Sequence, residues 1–317
     1  MMNFTWKEYA VQDAPLLDGW LDEEAQANTG IEDGFEDYCA YWFSQEETKV
    51  GENFWVKLFC LEGVPVGVVA VALWENVFTV SELLVDPARR RQSLGSMALC
   101  ELLEHGKVIL GVPVASARAV IYPDNIASQK AFEKAGFRFE SAHPDGDAWY
   151  YRYDRFSFVP IDREKLPTIL PSLFAILHGN MNVIAPTGNS YTEDETLWCS
   201  CIAEALEKPA RQLLLLQDGE TLAGFFMYYV NGELWMMEEI QFAPAYQGSG
   251  LFRALYAHLV ESLPNSVEYV EAYANKQNQK SIGILEHLGL AVTGENHNGN
   301  CYHFRGRYRD LREKLQG

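Results

Sequence analysis

Two short stretches of the chain carry the residue types needed to hold an anion on backbone. Gln247-Gly-Ser-Gly250 and Arg90-Arg-Gln-Ser-Leu-Gly95 each lie between a β-branched or apolar run and a segment with helical periodicity. The first turn of a helix leaves backbone N–H groups unpaired and carries positive partial charge. Small residues before it let a pyrophosphate approach that backbone closely. Ser93 stands where the other stretch has Gly250, and Arg89, Arg90 and Arg91 add cations suited to phosphate. Upstream of each turn is a carboxylate: Glu82 three residues before Val85, and Glu239, with Glu238 adjacent, three before Phe242. Burial raises a carboxyl toward neutrality, which suits a general base.

These correspondences extend into a repeat. Val85-Asp-Pro87 and Phe242-Ala-Pro244 stand 157 residues apart; Asn125-Ile-Ala-Ser128 and Asn278-Gln-Lys-Ser281 stand 153 apart, as do Gly136 and Gly289. A four-residue deletion between the blocks reconciles the two offsets, so the chain is a duplication. Each copy has the same order of elements. Strands are expected at Phe54–Cys60, Val64–Trp74, Phe78–Val85 and Val114–Tyr122, and again at Gln212–Gln217, Thr221–Val230, Leu234–Phe242 and Val267–Tyr273. Apolar residues at helical spacing follow each Gly-rich turn: Ala98, Leu99, Leu102 and Leu103, then Phe252, Leu255, Tyr256, Leu259 and Val260. Shorter helices over Ala127–Ala135 and Ser281–Leu288 stop at Gly136 and Gly289. Helical segments open each copy and strands close it (Trp149–Phe156, Cys301–Arg307), with the seam near Arg155–Ser157. No low-complexity linker intervenes, so the two domains are expected to pack on each other.

Composition sets outer bounds. The 317 residues, 48% hydrophobic, can bury real cores, and a net charge of −19 lacks the basic face that nucleic acid or an anionic membrane requires. No stretch approaches the ~20 apolar residues of a membrane span, and Met1–Glu8 lacks the basic start of a signal peptide; a cytoplasmic protein is expected. Six cysteines and seven histidines form no C-x-x-C or H-E-x-x-H, so no metal is expected.

At its turns the sequence resembles the GNAT superfamily of N-acetyltransferases, twice over. The family pattern is Val-x-Pro, then Gln/Arg-x-x-Gly-x-Gly/Ala, and later Asn-x-x-Ser/Ala-x-x-x-Tyr followed by Gly-Phe. The second copy matches with Gln247 and Gly250 but has Phe252 at the last Gly/Ala; the first matches with Arg90 and Gly95 but has Ser93 at the first Gly. Asn125, Ser128, Gly136 and Phe137 match downstream, as do Asn278, Ser281 and Gly289, with Leu290 for Phe. The resemblance implies two tandem α/β (α+β) domains, over 1–155 and 156–317, each a mixed, mostly antiparallel central sheet flanked by helices. It implies acetyl-CoA as cofactor, held by Leu84, Val85, Arg90, Arg91, Gln92, Ser93, Leu94, Gly95, Ser96, Asn125 and Ser128. In the second copy it implies Gln241, Phe242, Gln247, Gly248, Ser249, Gly250, Leu251, Phe252, Asn278 and Ser281. The second copy's turn is the cleaner of the two, the first copy's downstream element the better.

The implied reaction is direct acetyl transfer to a primary amine in a ternary complex, with Glu82, Glu239 and Glu238 as candidate bases. A protonated amine has a pKa near ~10, so a base must take its proton. The family's acid, a Tyr, is replaced by Phe132 and Leu285. Tyr122, Tyr246, Tyr273 or water are the alternatives, and a thiolate of pKa ~8.5 is a tolerable leaving group. The acceptor is expected to be a small-molecule or peptide amine. Glu32, Asp33, Glu36, Asp37, Glu193, Asp194 and Glu195 lie where it would bind and would suit a cation, although Thr192-x-x-Glu195 also reads as a capping box. Alternatives are a non-catalytic acyl-CoA sensor, a scaffold of two pseudo-enzymes, or an enzyme with one degenerate copy.

Overall fold

The computed structural model describes residues 4–45, 53–74 and 77–316. It divides into two compact units, Met1–Arg155 and Phe156–Gly317. Unit 1 holds a seven-stranded sheet in the order β1-β2-β3-β4-β5-β7-β6. Its strands are β1 (Thr5–Glu8), β2 (Phe54–Leu61), β3 (Val64–Trp74), β4 (Val77–Val85), β5 (Ser116–Ile121), β6 (Arg138–Ala142) and β7 (Trp149–Asp154). Only β4 and β5 run parallel; every other pairing is antiparallel.

Alternation along β3 shows why the sequence reads as an almost unbroken apolar run. Val68, Ala70 and Ala72 point to a core closed by α1 (Ala14–Asp18), α2 (Glu23–Thr29) and α3 (Phe35–Phe43). Val69 and Val71 point the other way, to α4 (Leu94–Ile109) and α5 (Ile126–Lys134). A strand covered on both faces needs apolar residues at consecutive positions. Leu99, Leu102 and Leu103 of α4 are almost wholly buried, and each stabilises the helix on the sheet by about 1.5–3 kcal/mol.

Unit 2 repeats this order with β8 (Phe156–Pro160), β9 (Arg211–Asp218), β10 (Thr221–Asn231), β11 (Leu234–Phe242), β12 (Tyr269–Asn275), β13 (Ala291–Glu295) and β14 (Cys301–Arg307). Here β11 and β12 form the parallel pair. One face is covered by α6 (Leu166–Met181) and α7 (Tyr191–Leu206). The phosphate turn leads into α8 (Leu251–Ser262), the downstream element is α9 (Gln279–His287), and α10 (Tyr308–Gln316) closes the unit.

Several expectations are corrected. Unit 1 opens on the edge strand β1 before its helices, and the short exposed strands β6 and β13 and the helix α10 add to the expected elements. Val114, Ala115 and Tyr122 fall outside β5, and β12 begins at Tyr269 rather than Val267. The capping box of α7 is Ser190 with Glu193, not Thr192 with Glu195, because the helix starts at Tyr191.

A register shift in β3, beside Gly67, and its counterpart in β10, before Gly224, fix where the next strand ends. The carbonyls of Val66 and Ala223 accept the N–H of Asp86 (3.0 Å) and Ala243 (2.9 Å), the first residues past β4 and β11. A Cβ at Gly224 would run into the Gln241 carbonyl oxygen, and one at Gly67 into the ring of Phe59. Gly224→Ala is therefore expected to destabilise the protein by about 1–3 kcal/mol or more. Urea unfolding reads this as a lowered midpoint; an unchanged midpoint would contradict the close packing.

Candidate active site

The parallel pair in each unit parts soon after it forms. β4 pairs with β5 only over Phe78–Val80, and β11 with β12 only over Leu234–Met237. At that point each strand carries a bulge. Ala70 pairs with Glu82 and Val71 with Val80, so Ser81 is the extra residue; Met227 pairs with Glu239 and Tyr228 with Met237, so Glu238 is the extra residue in β11. A bulge bends its strand and sharpens its twist. Past it, Glu82–Val85 and Glu239–Phe242 keep antiparallel partners on one side and have no ladder partner from β5 or β12 on the other. Leu84, Val85, Gln241 and Phe242 thus lie on an edge whose backbone groups can pair with an extended ligand.

The two turns share one backbone. Arg91 (φ 65°) and Ser93 (φ 61°) are left-handed in unit 1, as are Gly248 (φ 79°) and Gly250 (φ 87°) at the same places in unit 2. Glycine takes this conformation freely, whereas it costs other residues about 1–2 kcal/mol each. Unit 1 therefore keeps the turn's shape against strain. The first helical amides to reach a carbonyl of the turn are Met97 (to Ser93, 3.0 Å) and Ala254 (to Gly250, 3.0 Å). Leu94, Gly95 and Ser96 in α4, and Phe252 in α8, thus present first-turn N–H groups toward the turn, while the Leu251 N–H donates to Ser249 Oγ (3.4 Å). Buried Leu94 and Leu251 anchor the two helix starts.

The cations do not sit as the sequence suggested. The Arg90 guanidinium grips Asp22 at 2.7 and 3.0 Å and reaches Glu24 at 3.3 Å, holding the Asp22 carboxyl below the usual carboxylate range. Asp22 in turn caps α2 through Ala25 N–H, so Arg90 ties a helix start to the turn. Arg91 and Gln92 are exposed. A lysine that sequence reading missed reaches each turn instead: Lys134 donates to Ser93 Oγ (3.0 Å) and Lys280 to Gln247 Oε1 (2.9 Å). Ser249 turns back to bond the Tyr246 carbonyl, and Phe252 packs on Tyr256. Asn125 and Asn278 are helix caps, accepting the N–H of Ser128 (3.0 Å) and Ser281 (3.1 Å). A spacing of three residues to a small polar residue was the available signal for that role.

The three carboxylates differ. Burial pushes Glu82 well above the usual carboxylate range, and no hydrogen bond holds its ionised form among the described residues. The buried hydroxyl of Tyr38, on α3, lies close to it and to Ser81. Glu239 is also raised by burial, but it accepts the Trp198 indole N–H at 3.2 Å, which favours its charged form. Glu238 is clasped bidentately by Arg211 at 2.7–2.9 Å and so is withdrawn from use as a base. Asn180, on α6, donates to the Phe242 carbonyl (2.9 Å) and Gln241 Oε1 (3.0 Å) and accepts from Gln247 (3.2 Å). It fills part of the open edge of β11.

Phe132 and Leu285 are buried core residues with no proton to give. Tyr246 packs edge-on to Phe156, and Tyr273 stacks on His303. Tyr122 lines a cleft of about 670 Å³ in unit 1 with Glu24, Asn28, Asp124 and Asp147. Glu32, Asp33, Glu36 and Asp37 do not line it. In unit 2, Glu193 is taken up by the Ser190 cap, and Asp194 by Thr187 (2.5 Å) and Asn189 (2.9 Å).

A family model described as the acetyltransferase (GNAT) family matches residues 16–137 and again 175–290. The chain belongs to the acetyltransferase (GNAT) family. Both GNAT matches run from the helices that follow the opening edge strand through the turn to just past the downstream helix. Among solved structures, an acetyltransferase from Thermus thermophilus is 17% identical, covering 48% of this chain and 96% of its own, with a TM-score of 0.37. The aminoglycoside acetyltransferase AAC(6')-Ib in complex with coenzyme A is 20% identical, covering 48% and 95%, with a TM-score of 0.40. Mutant forms of the spermidine/spermine N-acetyltransferase SpeG from Vibrio cholerae are 17% identical, covering 50% and 98%, with a TM-score of 0.36. Likeness at this level says nothing of ligand or substrate. No functionally curated protein shows significant sequence similarity to the chain. No described helix is long and apolar enough to cross a membrane.

The raised Glu82 of the first GNAT domain has a stability consequence with a definite sign. A carboxyl whose folded pKa exceeds its unfolded value of 4.5 favours folding only while protonated in the folded state, so its contribution is lost as pH rises through the folded pKa. Glu82→Gln is therefore expected to raise the unfolding midpoint at neutral pH, with the gain vanishing below about pH 4.5. Thermal unfolding across pH checks this; a gain that persists in acid would contradict it.

Proposed function

We propose that the chain transfers an acetyl group from acetyl-CoA to the amine of a small cationic acceptor, with the first unit as the reacting site. The observation that carries this reading is Glu82: a carboxyl with no bonding partner among the described residues, raised by burial, at the point where β4 parts from β5. A site built for structure alone would pair that group, since an unpaired buried carboxyl is costly.

The residues present fit the cofactor. First-turn amides at Leu94–Ser96, which have no partner among the described residues, suit a pyrophosphate with Lys134 close by, and the open edge of Ser81–Val85 suits an extended chain of amides. Acetyl-CoA bound there supplies an activated thioester. Glu82 then serves as the base that takes the amine proton, and a strand N–H beyond the bulge serves as donor to the developing oxyanion. Glu24, Asp124 and Asp147 give the cleft beside Tyr122 a negative field that favours a protonated amine entering from solvent. Tyr122, half-exposed on the cleft wall, or water, protonates the departing thiolate.

A second reading, binding without chemistry, is favoured for unit 2. There the corresponding carboxylate is held by Trp198, and Asn180 occupies the strand edge.

Thiol release from acetyl-CoA against a panel of polyamines, aminoglycosides and lysine peptides tests the reaction. Glu82→Gln is expected to lower kcat by about 10²-fold or more with cofactor affinity unchanged, while Glu239→Gln leaves kcat within a few-fold. The wild-type rate should rise with pH through a carboxyl titration displaced upward from 4.5, and that limb should be absent in Glu82→Gln. Equal rates for wild type and Glu82→Gln would remove Glu82 as base.

A further inference from the structure

Arg90 opens the turn before α4, where a cation is expected to face phosphate, yet its guanidinium is engaged elsewhere. Its two terminal nitrogens fork onto Asp22 at 2.7 and 3.0 Å, and one of them also reaches Glu24 at 3.3 Å. The turn is itself fixed to the sheet: the Val66 carbonyl accepts the Asp86 N–H (3.0 Å), and the Asp86 carboxylate accepts the Ala88 N–H (2.9 Å). Asp22 continues the connection by capping α2 through the Ala25 N–H (2.9 Å). A run of bonds thus leads from β3, through the turn, to the first turn of α2.

What α2 carries gives this connection a use. Glu24, Ala27 and Asn28 of α2 form one wall of the cleft that also holds Tyr122, Asp124 and Asp147, whereas Arg90 and Asp22 do not line it. The helix has little else to hold it. Ala25 is the one residue of α2 that is buried, although Trp20 and Ile31 on either side enter the core. Exposed ion pairs usually add little, but a bidentate Arg–carboxylate pair is the geometry that does, and the Arg90 side chain is only 27% exposed.

Unit 2 keeps the tether with different chemistry. Gln247, the counterpart of Arg90, donates to Asn180 Oδ1 (3.2 Å) on α6, which packs on the same face of its sheet as α1–α3 do in unit 1. The first residue of the turn reaches across to that face in both units, by an ion pair in one and an amide pair in the other.

We infer that Arg90 is a positioning residue that couples the two ligands of unit 1: it joins the acceptor wall to the cofactor turn, so that a cofactor steadying the turn also steadies α2. This coupling rests on the proposed transfer reaction, with the cleft beside Tyr122 as acceptor site. It gives Arg90 a role exerted through Asp22 in place of the phosphate contact that the resemblance implies. A ligand that orders one part of a connected structure lowers the ordering cost met by the next, which is positive coupling.

Hydrogen exchange of the full chain with and without coenzyme A tests the connection. In the wild type, coenzyme A is expected to slow exchange both at Leu94–Ser96 and in α2. In Asp22→Asn, which keeps a cap acceptor but loses the charge, it should slow Leu94–Ser96 alone. Kinetics at saturating acetyl-CoA, with whichever amine of the panel is acetylated, give a second readout. Asp22→Asn and Arg90→Gln change the local charge in opposite senses, so a simple field effect on a cationic acceptor would move its KM in opposite directions. A lost connection raises the acceptor KM in both, by about fivefold or more, and the double variant is then no worse than either single one. In Asp22→Asn kcat should stay within about twofold of wild type. An α2 that gains no protection in the wild type, or gains it equally in Asp22→Asn, would overturn the coupling, as would acceptor KM values that stay put or move apart. Failure of Leu94–Ser96 to gain protection in the wild type, or of every amine to be acetylated, counts instead against the proposed reaction, and the coupling falls with it.

Discussion

A parallel strand pair that stops after three residues is the constraint around which unit 1 is arranged. β4 and β5 share only Phe78–Val80 before the Ser81 bulge turns them apart. An open gap between parallel strands exposes backbone groups that water or a ligand must satisfy. The sheet tolerates it because cores on both faces hold the strands in place: Leu84 packs on the α1–α3 side, Phe78 and Val80 on the α4–α5 side. Glu82 stands in the gap, and crowding rather than pairing raises its pKa. The carbonyl of Val66 fixes where β4 ends, which delivers the chain to the turn and the start of α4. Gap, carboxylate and helix start are one construction.

Unit 2 keeps that construction and changes its chemistry. The bulge residue is Glu238 instead of Ser81, and Arg211 neutralises it. The indole of Trp198 takes the place beside Glu239 that Tyr38 has beside Glu82. Gly248 and Gly250 relax the turn that Arg91 and Ser93 hold under strain. Strain retained in one copy and relaxed in the other indicates that the turn's shape, rather than any side chain on it, is what both copies preserve.

What the sequence made legible follows from the range over which each signal acts. The duplication, the long strands and the two main helices rest on apolar periodicity and glycine placement, which are local. Strands β1, β6 and β13 were missed because four or five largely exposed residues leave no alternating pattern. The capping box was misplaced by two residues because Ser190–Glu193 and Thr192–Glu195 both fit the spacing, and only the helix start decides between them. The roles of Arg90, Glu238 and Asn180 were hidden because their partners lie 68, 27 and 62 residues away. The cleft of Glu24, Asp124 and Asp147 is assembled by three separate segments, and no spacing foretells it.

Hydrogen exchange of the full chain with and without coenzyme A tests most directly that the parted strand and the helix start form one binding surface. The account predicts slowed exchange in both Ser81–Val85 and Leu94–Ser96. Saturating coenzyme A that leaves both segments exchanging as in the free protein would contradict it.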